Sequence, residues 1–285
     1  MTSISVVIPV WNRAASVVRA IDSALSQSAP GGTSVTCIVV DDGSTDDLAG
    51  ALQSYGDRVK YVRHSVNRGA AAARNTGVAE ATSEYVAFLD SDDMWLPGKL
   101  AAQYAAMKDM EWMASCTACY LERGVDRQVI APSYPTGVLT QADLIWGCYV
   151  SPGSTLMFRR ELFTSIGPLD TTLARLEDWD WLLRLTETHV LGFLAEPLAR
   201  IAASSHALAG PVLTALDRIE ERHREYIAPG HRRQFAAALA FERAAARYRA
   251  GDRLAAMGLL IRSLALSPIG HQAIGAVLHN RFARA

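Results

Sequence analysis

The chain has 285 residues, of which 50% are hydrophobic and 20% charged, and a formal net charge of −1. That composition excludes a disordered or fibrous protein, and the length suits one large domain or a domain with an appendage. No uncharged apolar run reaches roughly eighteen residues, so the pattern gives no membrane-spanning helix. Met1-Thr2-Ser3 leads straight into a strand-like run, with no visible signal peptide. Four scattered cysteines, Cys37, Cys116, Cys119 and Cys148, make no disulfide scaffold. Both features point to a cytoplasmic protein.

Ser3 to Trp11 is a continuous apolar strand of the buried, parallel kind, and Asn12-Arg13 ends it. Ala14 to Gln27 has helical spacing, with Val17, Val18, Ile21, Ala24 and Leu25 on one side. After the Pro30-Gly31-Gly32 loop, Val35 to Val40 is a second strand. It ends in a carboxylate-rich turn, Asp41-Asp42-Gly43-Ser44-Thr45-Asp46, in which Asp41 is the residue suited to brace the turn. Val59 to Val62 is a third strand, and an Ala-rich helix starts after Asn67-Arg68-Gly69. Tyr85 to Leu89 is the fourth strand, and Asp90, Asp92 and Asp93 follow at once.

Carboxylates clustered at the end of a buried strand repel one another unless a positive charge neutralises them. Adjacent hard oxygen ligands suit Mg²⁺ or Mn²⁺, which takes further ligands from water and substrate phosphate. A capped turn is the plainer alternative. Strand–helix alternation with polar strand ends predicts a doubly wound, mostly parallel sheet and a ligand crevice along those ends. Neither a Gly-x-Gly-x-x-Gly nor a Gly-x-x-x-x-Gly-Lys-Ser occurs, so no glycine loop cradles phosphate.

Four blocks now stand in order: VIPVWN from Val7 to Asn12, VDDGSTD from Val40 to Asp46, NRGAAAARNTG from Asn67 to Gly77, and LDSDD from Leu89 to Asp93. The set resembles the nucleotide-binding half of family 2 glycosyltransferases with the GT-A fold. The resemblance implies an α/β protein with a Rossmann-like doubly wound mixed sheet. It also implies a metal-dependent enzyme that uses a nucleotide-sugar donor, commonly UDP-linked, with inversion at the anomeric carbon. By the same resemblance Trp11 lies against the base, the backbone around Pro9 contacts it, Asp42 accepts a hydrogen bond from uracil, and Arg74 lies near the nucleotide. Asp92 sits by the ribose and the metal, Asp93 ligates the metal, and Asp90 is a further candidate.

Leu96 to Met107 is predicted helical with Pro97 in its first turn, and residues 112–130 read as strands joined by a turn at Gly124. Cys116 and Cys119 have Cys-x-x-Cys spacing, but no second pair or nearby His accompanies them, and core packing is the reading. Pro132 to Pro152 is a loop-like stretch placed to cover an acceptor. Ser154 to Phe158 is another strand, followed by a short helix from Arg160 to Ile166. Glu177-Asp178 then open an amphipathic helix, where two acids suit the positive end of the helix dipole. The family resemblance makes Asp178 the general base that deprotonates the acceptor hydroxyl, with Glu177 beside it. Trp179 or Trp181 is a candidate to stack on a sugar. Where family members carry Arg-x-His, this chain has Arg200-Ile201-Ala202, and His206 is the substitute candidate.

From Gly210 onward the pattern is helical only, with helices predicted near 231–250, 252–266 and 268–284. Residues 229–285 hold nine Arg, no Lys and only two acids, Glu242 and Asp252. Such asymmetry fits an anionic membrane surface or an acidic protein partner, or else a solvated helical cap. The expected organisation is a catalytic domain over 1–209, with a nucleotide-binding half (1–95) and an acceptor half (96–209), and a helical extension over 210–285. The expected location is cytoplasmic, at or near the inner face of the membrane. The expected partners are a nucleotide-sugar and a glycan or lipid-linked acceptor, and not nucleic acid. Alternative readings are a decayed nucleotide-sugar-binding module and a sugar-1-phosphate nucleotidyltransferase. The latter would want a glycine-rich basic loop where Trp11-Asn12-Arg13 stands.

Overall fold

The computed structural model describes residues 3–28, 34–123, 127–132, 134–202 and 209–267. Ser3–Val10 (β1) puts Ile4, Val6, Ile8 and Val10 on one face of a sheet and Val7 on the other. Both faces are covered, which is why the run is apolar without alternation. Ala14–Leu25 (α1), Ser34–Asp41 (β2), Leu48–Leu52 (α2), Val59–Arg63 (β3), Ala70–Glu80 (α3) and Tyr85–Phe88 (β4) follow. The four strands are parallel in the order β3-β2-β1-β4. Because strand order reverses at β1, crossovers of one hand place α1 and α3 on opposite faces. The carboxyl ends of β1 and β4 therefore flank a topological switch point.

The second half mixes directions. Met94–Trp95 (β5), Lys99–Asp109 (α4), Ala114–Arg123 (β6), Arg127–Ala131 (β7), Gly137–Leu139 (β8), Gln141–Leu144 (α5) and Pro152–Thr155 (α6) lead to Met157–Arg159 (β9). Glu161–Ser165 (α7), Glu177–Thr188 (α8) and Leu191–Ala202 (β10) complete it. The sheet continues β4-β9-β6-β10-β5, with β9 antiparallel to both neighbours and β10 parallel to β6.

Several sequence expectations shift here. Pro97 precedes α4, which starts after Gly98 in the left-handed region (φ 86°). Residues 152–155 form a helical turn with Pro152 at its start, so the strand predicted from Ser154 begins only at Met157. Within the stretch between Pro132 and Pro152, Gly137–Leu139 and Gln141–Leu144 form β8 and α5, and residues 145–151 lead irregularly into α6. Cys116 and Cys119 are both buried on β6, in the cores on opposite faces of the sheet, as their odd spacing dictates. Burial pushes their thiols up to about 12 and about 11, so they pack as core.

Ala209–His223 (α9), Arg232–Arg249 (α10) and Arg253–Leu266 (α11) form the helical extension. It shares a third core with the α/β part, in which Ile145, Trp179 and Leu183 meet Leu216, Ile219 and Phe235. Asp180 on α8 locks the two together. Its buried carboxylate accepts from Arg184 Nε (3.1 Å), Arg222 (3.0 Å to each oxygen) and His223 Nε2 (2.9 Å). Burial alone would raise this carboxyl; the His223 hydrogen bond and the Arg184, His223 and Arg222 charges more than reverse that and hold it below the usual range. The helix expected over 268–284, the Gly124 turn and the Pro30-Gly31-Gly32 loop lie outside the described residues.

Asp180→Ala takes one partner from each of two guanidinium groups and the Nε2 partner from a buried imidazole, and is expected to cost about 3 kcal/mol. Urea unfolding at neutral pH checks this. The wild-type advantage should fade as pH falls through the lowered Asp180 pKa, because the native carboxylate is then protonated.

Candidate active site

The crevice floor is tied together before any ligand arrives. Trp11, just past β1, is 54% exposed, so its ring is no part of the core and has a free face. Asn12 sits at φ 52°, and its side chain accepts from Thr45 N (2.7 Å) and Thr45 Oγ1 (3.1 Å), while its own N–H donates to Ser44 Oγ (2.9 Å). Pro9, opposite Val40 in register, lies beneath this junction, partly buried. Asp41 is fully buried and accepts from Ser44 N, Tyr61 and Arg63, bracing the turn. Asp42 is also buried. Its carboxylate takes His64 Nδ1 (2.7 Å), Arg68 N (2.9 Å) and Gly69 N (2.7 Å), and so fixes the turn before α3. Gly43 (φ 74°), next in the chain, passes so close to Val66 that a Cβ would lie 2.6 Å from its carbonyl carbon.

The three carboxylates after β4 have separate surroundings. Asp90 pairs with Arg74 at 2.6 Å, and Asp92 pairs with Arg13 across the crevice mouth. Asp93 is buried, accepting from Ser154 Oγ (2.5 Å) and Ala202 N (2.8 Å), and no ion pair reaches it among the described residues. Burial first, then the charge of Asp90, pushes Asp93 up to about 8. A buried carboxylate short of positive charge, with Asp92 next to it, fits a hard divalent cation. No three His, Cys, Asp or Glu converge as a preformed cage among the described residues, so the chain would supply only part of a coordination shell.

Arg74 is buried and joins the two halves. It donates to Asp90 and, at 2.8 Å, to Glu177 at the start of α8. Its Nε has no partner among the described residues. Next to it, Asn75 exchanges two hydrogen bonds with the Leu169 backbone (2.9 and 3.0 Å). Gly77 lets α3 lie on β1, where a Cβ would fall 2.3 Å from Val7 Cγ1.

Leu176 precedes α8 at φ 64° and turns the chain into Glu177-Asp178. Ser151, at φ 47°, does the same before α6. With Asn12, three of the four non-glycine residues at positive φ among the described residues thus border the site, a known use of backbone strain. Asp178 lines a cavity of about 10 Å³, near the volume one water needs, together with Arg74, Phe88, Pro152 and Leu156. Burial and the Glu177 charge push its carboxyl up to about 6, against the opposing pull of Arg74, the Trp179 N–H and the Cys148 thiol.

Neither tryptophan presents an open face to a sugar. Trp179 and Trp181 are buried, donating to the Leu144 carbonyl (2.7 Å) and the Gly167 carbonyl (3.0 Å), because α8 is covered by core on two sides. His206 lies outside the described residues. Sequence reading missed Ser154, Arg13, Asn75, Cys148 and Lys99. The Pro152-Gly153 turn before Ser154 was the only signal for the first. Lys99 is fully buried with Nζ 3.9 Å over the Trp95 ring, and burial pushes it down to about 7. Trp95 in turn donates to the Ser154 carbonyl at 2.7 Å.

The chain matches the model of glycosyl transferase family 2 over residues 5–167 and belongs to that family. An uncharacterized glycosyltransferase of Rickettsia prowazekii (strain Madrid E) is 30% identical over 231 residues, 76% of this chain and 68% of that protein. One of Rickettsia conorii is 40% identical over 119 residues, 41% of this chain. The chain spans only 19% of the length of the first curated relatives it matches. Among solved structures, S. aureus TarS in complex with UDP-GlcNAc superposes with a TM-score of 0.66 at 16% identity, covering 91% of this chain and 90% of that one. The likeness establishes the GT-A architecture.

Proposed function

We propose that the protein is an inverting glycosyltransferase that moves a sugar from a UDP-linked donor to a hydroxyl of a glycan or lipid-linked acceptor, with Asp178 as general base. The observation that carries this reading is the placement of Asp178. A carboxylate with its pKa raised to about 6 lines a small cavity beside Arg74, between the end of β4 and the start of α8. At neutral pH it is ionised, yet it is a stronger base than an ordinary aspartate. The binding of UDP-GlcNAc by the structurally similar TarS supports the donor class.

In this reading the exposed Trp11 ring stacks on the base, the backbone at Pro9 lines its edge, and Asp92 faces the ribose. Asp42 holds the turn that shapes the uracil pocket and offers its remaining acceptor capacity to a ring N–H. Arg74 stands near the diphosphate with its free Nε. Asp93, with Asp92, would hold Mn²⁺ or Mg²⁺, which offsets charge on the departing diphosphate when bound. The acceptor oxygen attacks the anomeric carbon from the face opposite the nucleotide as Asp178 takes its proton. The bond from that carbon to the diphosphate oxygen breaks, and its electron pair leaves with UDP. Holding both substrates in line inside a dried crevice is the remaining contribution of the fold.

Asp178→Asn keeps the shape and removes the base. Its turnover, read as UDP released from UDP-GlcNAc, should fall by about a hundred- to ten-thousandfold with donor affinity retained. Wild-type kcat/KM should rise with pH and level off above about 6, as the base loses its proton. Wild-type turnover in the variant would eliminate Asp178 as base. Separately, calorimetric titration should find UDP binding that needs Mn²⁺ and is lost in Asp93→Ala; equal binding without metal would remove Asp93 from the donor site.

A further inference from the structure

Helix α11 is turned inside out. Its small residues Ala256 and Ser263 are buried on the side facing α10, with Ser263 Oγ donating to the Ala237 carbonyl at 2.7 Å. Four of its large apolar residues point outward: Leu254, Met257, Ile261 and Leu264 are 80%, 55%, 61% and 49% exposed, while Leu259, Leu260 and Leu266 are partly buried. Spacings of three, four and three align them along one side of the helix for about 15 Å. Single exposed apolar side chains need no explanation, but an aligned row of four marks a surface that something covers.

Charge identifies what covers it. Arg253 and Arg262 are exposed and, at roughly 100° of turn per residue, flank the row on either side. Helix α11 itself carries no acid. A second copy would set these arginines against one another, since the nearest acid, the capping Asp252, is already paired with Arg247 at 3.5 Å. Residues 268–285 would do the same, since they carry Arg281 and Arg284 and no acid. An anionic bilayer suits both features, because the row enters the acyl boundary while the arginines reach lipid phosphates.

We propose that α11 docks the protein on an anionic lipid surface through Leu254, Met257, Ile261 and Leu264, with Arg253 and Arg262 on the headgroups. The enzyme thereby meets its acceptor at the membrane. The docking needs no role for Asp178 and can fail or hold independently of the transfer mechanism. Among the described residues no helix is long and apolar enough to cross a membrane.

The test is co-sedimentation of the full chain with phosphatidylcholine vesicles, with and without phosphatidylglycerol. The wild type should bind only the anionic vesicles. Ile261→Glu should weaken binding at least about tenfold, as should Arg253→Gln with Arg262→Gln, since each loses one of two required attractions. Ile261→Glu should leave the melting temperature unchanged, as expected for an exposed position. Three outcomes would overturn the proposal. One is equal binding to neutral and anionic vesicles, or binding to neither. Another is a solution dimer that Ile261→Glu dissociates, which would make a second copy the occupant. The last is a melting temperature lowered by Ile261→Glu without vesicle binding, which would make the chain's own remaining segment the occupant.

Discussion

The Arg74 guanidinium, held between Asp90 and Glu177, is the contact on which the rest of the site depends. It crosses from the parallel half of the sheet to the helix that carries Asp178, with its two ion pairs at 2.6 and 2.8 Å and the Phe88 ring 5.7 Å away. A planar fork of five donors serves two carboxylates in one fixed geometry, where a lysine would offer a point charge on a flexible stem. Burial alone would push the guanidinium pKa down; the charges of Asp90 and Glu177 more than compensate and keep it ionised. Such a buried bridge adds little net stability compared with apolar packing, and its value here is to fix where α8 begins.

That arrangement sorts five acids into two kinds. Asp90 and Glu177 are matched by Arg74, and Asp92 by Arg13. Asp93 and Asp178 are left with raised pKa values of about 8 and about 6, in both cases because burial outweighs the donors that reach them. The two unmatched carboxylates are those assigned in the proposal to metal binding and to proton removal. Functional sites tend to hold such unequal titrating groups, since each task needs its own pKa.

Much of this was legible from residue order. Strand–helix alternation and the polar strand ends gave the parallel half and its crevice, because burial on both faces forces continuous apolar runs. The antiparallel insertion of β9 was not legible, since three residues, Met157–Arg159, carry no periodicity. Arg74, Asn75 and Gly77 stood out as a block, but their tasks did not, since each acts on a partner distant in sequence: Glu177, Leu169 and Val7. Trp179 and Trp181 looked like sugar platforms, and the helical extension explains why they are not. It buries one side of α8 against α9 and α10, while the sheet core takes the other. A single helix pattern cannot announce that both its faces will be covered.

The most direct test of this account is the titration of the Asp178 carboxyl in the folded protein, followed by carbon NMR with labelled aspartate and assigned by Asp178→Asn. The account predicts a midpoint near 6 that moves higher in Arg74→Met, because the variant removes a nearby positive charge and keeps the burial. A midpoint in the ordinary aspartate range near 4, or one indifferent to Arg74, would contradict it.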